Sequence, residues 1–91
     1  MPTSSELKLR LPAAVALHAR PAGAFVKVAM SFRSTIRVIA GDREANAKSI
    51  LQVMALGAEG GSEITVRAEG DDADAALGAI QDWSAGLEPA S

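Results

Sequence analysis

The sequence predicts an α+β two-layer sandwich: a four-stranded, mainly antiparallel sheet with three helices packed on one face, in the order βαββαβα. Three observations carry that expectation. Apolar and polar residues alternate in a series of short stretches, so each strand has a single apolar face and needs helices on one side only. Between and after these stretches the spacing changes to three and four, the mark of helices with one apolar stripe. At 91 residues the chain fits one small domain, because such a core cannot be split into halves that each bury enough apolar surface. Residues 1–91 are therefore read as a single domain, with an ordered core spanning about 7–87.

The elements follow in order. Leu7-Lys8-Leu9-Arg10-Leu11 alternates without a break and forms the first strand, which Pro12 ends. Ala22, Phe25, Val26, Ala29 and Met30 trace the buried face of a first helix, with Pro21 in its first turn and Lys27 on its polar side. Ile36, Val38 and Ala40 line one face of a second strand; Gly41-Asp42 turns it into a short return strand, Arg43 to Ala47. Ser49 can cap a helix over the apolar run Ile50 to Leu56, and Gly57 ends it. After glycines 57, 60 and 61, Ile64, Val66 and Ala68 mark a fourth strand. Asp71-Asp72-Ala73-Asp74 supplies a cap and acidic first turn for a last helix, whose face runs through Ala73, Ala76, Leu77, Ile80, Ser84 and Leu87.

Composition narrows the function. With 3% aromatics against 48% hydrophobic residues, the core must be built from Ala, Val, Ile and Leu with Phe25, Phe32 and Trp83. The absence of cysteine excludes disulfides, thiolate metal sites and cysteine catalysis, and a metal held through the one histidine would need several carboxylates beside it, so none is expected. A net charge of −2, dispersed along the chain, argues against a nucleic-acid partner. No apolar stretch approaches the roughly 18 to 20 residues that cross a bilayer, and Met1 to Glu6 lacks the features of a signal peptide. A soluble, cytoplasmic monomer is expected, with no cofactor and no membrane partner.

Chemistry concentrates at two places. The only histidine, His18, stands in Leu17-His18-Ala19-Arg20-Pro21-Ala22, where a loop gives way to a helix. A neutral imidazole nitrogen is nucleophilic near pH 7, and unpaired helix-entrance amides beside an arginine favour an anion. Together they suggest a phosphoryl group carried on the ring, with Arg20 adding a charge-assisted fork. Taken singly, His18 has an ordinary reading as a capping or partly buried group, and Arg20 and Lys27 as solvated surface cations. The second place is Ser49 and the helix behind it. As an isolated residue Ser49 is a helix cap, but Ile50, Leu51, Val53, Met54, Ala55 and Leu56 leave only Gln52 polar. Such a helix is either fully buried or presents a pliable Leu/Met surface for docking.

These segments resemble the HPr family, the histidine-containing phosphocarriers of the phosphoenolpyruvate-dependent sugar phosphotransferase system. Leu17 to Ala22 is similar to the family's active-site motif, and Asn46-Ala47-Lys48-Ser49-Ile50-Leu51-Gln52-Val53-Met54-Ala55-Leu56-Gly57 to its regulatory-serine segment. The resemblance runs from about Leu7 to Leu87 and implies the HPr open-faced sandwich. It further implies a stoichiometric carrier rather than an enzyme: His18 accepts a phosphoryl group through Nδ1 from phosphorylated enzyme I and passes it to the IIA domain of a sugar permease. By the same resemblance Arg20 holds the phosphate, and Ser49 matches the target of an ATP-dependent serine kinase found in some lineages. Lys27, Ile50, Leu51 and Met54 are assigned to partner binding. Ala16 stands where the family usually has glycine. Competing readings are a regulatory binding protein switched at Ser49 with His18 idle, a nitrogen-branch paralogue, and a small-ligand module.

Overall fold

The computed structural model describes residues 4–11, 19–57 and 61–86. Within them lie strand β1 (Ser4–Arg10), helix α1 (Ala19–Met30), strands β2 (Thr35–Ala40) and β3 (Arg43–Asn46), helix α2 (Ile50–Ala55), strand β4 (Glu63–Glu69) and helix α3 (Ala73–Ala85). The order and type of all seven match the expectation.

The strands form one sheet in the order β1-β4-β2-β3, every pairing antiparallel. Register follows from the period-2 pattern, because a slip of one residue would turn each apolar face to water. One row therefore crosses all four strands as Leu7, Val66, Val38 and Ala45. The neighbouring row on the opposite face reads Glu6, Arg67, Arg37 and Asn46. That face is wet: Arg67 and Glu6 pair at 3.0 Å with both side chains about half exposed, an arrangement that contributes little to stability.

Helices cover the apolar face. Phe25, Ile36, Val38, Val53, Ile64, Val66 and Ile80 are fully buried between the layers. Phe25 meets Trp83 of α3 with ring centroids 5.1 Å apart and the planes tilted by 54°, the offset geometry that aromatic pairs favour.

Boundaries differ from the sequence reading in instructive places. β1 starts at Ser4, three residues early, because its backbone bonds to β4 do not require alternating side chains there. α1 begins at Ala19 rather than near Pro21, with Pro21 still inside the first turn, where its missing N–H has no partner to lose. β3 ends at Asn46, not Ala47, and α2 ends at Ala55 with Leu56 as its C-cap, followed by Gly57 at φ +67°. Met30, placed on the buried face by its spacing, is 65% exposed. It is the last residue of α1, where the helical spacing continues but no cover is provided.

Asp72 departs furthest from expectation. It occupies the N-cap position of α3 but makes no side-chain bond to that helix. Its carboxylate instead accepts from the Arg33 amide at 2.8 Å, the Ser34 amide at 2.9 Å and the Ser34 hydroxyl, clasping the α1–β2 turn to the start of α3. Gly70 makes room for the clasp, since a Cβ there would come within 2.7 Å of Ser34 Oγ and 2.9 Å of Ser34 Cα.

The Ser34 hydroxyl, and then the Arg33 amide, hold the Asp72 carboxyl below its ordinary 3.8. The ionised form is therefore favoured by folding. The clasp contributes in full above the unfolded-state value and is lost as pH falls through the lower folded value. We expect the urea midpoint of the native chain to fall more steeply below about pH 4 than that of Asp72→Asn. Parallel acid limbs would show that the clasp contributes nothing.

Candidate functional site

His18, with Ala16 and Leu17, lies outside the described residues, so the site's geometry starts one residue later at Ala19. α1 runs twelve residues from there, and Arg20, its second residue, is exposed. Lys27, two helical turns further, is exposed as well. At 1.5 Å per residue the two cations are about 10 Å apart along one side of α1. Gly23 lies between them, and a Cβ at that position would stand 3.6 Å from Ile50 Cδ1. The entrance of α2 thus meets α1 within the span bounded by Arg20 and Lys27.

α2 shows both of the alternatives considered for it. Val53 and Leu56 are buried, whereas Ile50 is 40%, Leu51 79% and Met54 40% exposed. A six-residue helix is too short to hold itself together, and the segment around it supplies the support. Ser49 is the N-cap, its hydroxyl accepting from the Gln52 amide at 3.3 Å. The Lys48 amide donates to Asn46 Oδ1 at 2.9 Å, and Gln52 Oε1 accepts from the Asn46 amide at 2.9 Å. Lys48 Nζ reaches across to the Phe32 carbonyl, 2.7 Å away, beyond the end of α1. Apolar side chains are therefore held in water by a polar scaffold rather than by their own burial.

Five of the residues singled out in the sequence, Arg20, Lys27, Ile50, Leu51 and Met54, thus share the exposed surface where α1 and α2 meet. Ser49 borders it and is partly exposed. The sequence reading missed Lys48 and Gln52 as the ties that hold α2. For Gln52 a signal was present: Ser49-Ile50-Leu51-Gln52 has capping-box spacing, in which the third residue's amide group reaches back. Here it reaches past Ser49 to Asn46. Among the described residues no cluster of three or more His, Cys, Asp or Glu side chains could hold a metal ion. No described helix is long and apolar enough to cross a membrane.

The family model described as the PTS HPr component phosphorylation site matches residues 6–85. The chain belongs to the HPr family. It is similar to the phosphocarrier protein HPr of Mycoplasma capricolum, with 49% identity over 67 residues that cover 74% of this chain and 75% of the relative. The phosphocarrier protein HPr of Buchnera aphidicola is 41% identical over 70 residues, covering 77% of this chain and 82% of that one. Among solved structures, HPr-C-His from Thermoanaerobacter tengcongensis superimposes with a TM-score of 0.89 at 35% identity, covering 96% of this chain and 99% of that one.

HPr proteins are phosphocarriers of the phosphotransferase system with a histidine phosphorylation site, and they carry the group without turning over a substrate. Their membership of that system implies enzyme I and IIA domains as partners.

Proposed function

We propose that this chain takes a phosphoryl group onto His18 Nδ1 from phosphorylated enzyme I and hands it to the IIA domain of a sugar permease, acting in the cytoplasm as a monomeric single domain. The observation that carries the reading is elimination. The family carries its phosphoryl group on histidine, and His18 is the only histidine in the sequence. It immediately precedes Ala19, the first residue of α1.

The transfer needs little from the protein beyond placement. The ring nitrogen's lone pair attacks phosphorus in line with the donor bond. As the new N–P bond forms the old bond breaks, and its electron pair leaves with the donor. Arg20 supports the phosphoryl charge, and the positive end of the twelve-residue helix adds to it. The step is reversible, because the same geometry serves the onward transfer.

Lys27, Ile50, Leu51 and Met54 form the surface that partners cover. Burying the exposed parts of Ile50, Leu51 and Met54 drives association, while the two cations steer an acidic rim into register.

A second role rests on Ser49. Its oxygen caps α2 as an acceptor, its O–H has no acceptor among the described residues, and it borders the docking face. A phosphoryl group placed there by a serine kinase would bring a dianion to that face and oppose apolar docking.

The test is incubation with phosphoenolpyruvate and enzyme I, followed by intact mass and peptide mapping. One acid-labile phosphoryl group on the His18 peptide is expected. Acid-stable label on the Ser49 peptide, or none at all, overturns the carrier reading.

A further inference from the structure

With no cysteine in the chain, the thioethers of its three methionines are the softest oxidisable groups it has. Methionine is usually a buried residue, yet neither Met30 nor Met54 is among the buried core residues. Met30 is 65% and Met54 40% exposed. Their placements differ. Met54 lies one turn after Ile50 and three residues after Leu51, within the apolar face of α2. Met30 ends α1, about 10 Å along the helix from Gly23, where the two helices touch.

We propose that Met54 is a reversible oxidation site through which hydrogen peroxide weakens the carrier's hold on its partners. The inference rests on the docking face assigned above. The sulfur lone pair attacks one peroxide oxygen and the O–O bond breaks. The sulfur loses two electrons and becomes the sulfoxide, while the other oxygen, after proton transfer, leaves as water. The product adds no charge, but it puts a strongly polar S–O group among Ile50, Leu51 and Met54. Docking against an apolar partner would then bury that oxygen without a donor, a cost the thioether does not carry. The fold is spared, because α2 is anchored through Val53, Leu56, Ser49 and Gln52, not through Met54.

The experiment oxidises the full chain with hydrogen peroxide, removes the peroxide, and locates sulfoxide by peptide mapping. KM and kcat for phosphoryl transfer from enzyme I are then measured. Sulfoxide at Met54 is expected to raise KM about tenfold with kcat retained; methionine sulfoxide reductase restores it. Met54→Leu, compared with itself before and after peroxide, loses the response, whereas Met30→Leu keeps it. An unchanged KM with Met54 fully oxidised, or a Met54 that peroxide does not oxidise, overturns this inference alone. A native chain that takes up no phosphoryl group overturns the carrier reading and this inference with it.

Discussion

Replacing His18 by alanine is expected to abolish phosphoenolpyruvate-dependent phosphoryl uptake, with no residual label above background. The side chain follows the buried Leu11 by seven residues and precedes α1 by one. Its loss removes the only imidazole in the chain, and no thiol exists to substitute as a soft nucleophile. If the imidazole serves transfer rather than packing, the circular dichroism spectrum and urea midpoint of His18→Ala match the native chain. Acid-labile label on the variant would contradict the assignment. Arg20→Ala asks a finer question and should slow transfer while leaving the label on His18.

Phe25→Ala carries the largest expected cost in stability. Phe25 is fully buried on α1 and packs against Trp83, and truncating a buried aromatic costs about 3–5 kcal/mol through lost transfer energy and the cavity left behind. A domain of this size holds only about 5–15 kcal/mol in total, so roughly a fifth of it or more would go. The urea midpoint should drop at nearly constant slope, followed by the emission of the single tryptophan. A loss below about 1 kcal/mol would mean that the layers close around the space.

What the sequence made legible was what period and turn chemistry encode. Leu7, Leu9 and Leu11 announced β1, and the Gly41-Asp42 pair announced a two-residue hairpin, seen in the pairing of Ala40 with Arg43. The helical stripe through Phe25, Val26 and Ala29 is buried as expected.

What escaped depends on partners distant in the chain. Asp72 reads locally as a cap, and only the packed turn shows that its acceptors are spent on Arg33 and Ser34, 39 and 38 residues away. Met30 obeys the helical period, but period does not say where a neighbouring layer stops. At the site, the motif around His18 and the apolar run after Ser49 were both readable. That Gly23 lets α2 close on α1 between the two cations was not, because a glycine's missing Cβ has meaning only beside the side chain that uses the space.

The ties on α2 also bear on how the carrier behaves when crowded. β3 is an outer strand of only four residues, the kind of margin to which a stray chain could add itself. Its Asn46 amide is already spent on Gln52, and Arg43 donates across to the Ala55 carbonyl at 3.3 Å. A short border partly occupied by its own helix offers a poor template for runaway β-assembly. The chain can thus display Leu51 to the solvent at high abundance without aggregating through the adjoining strand.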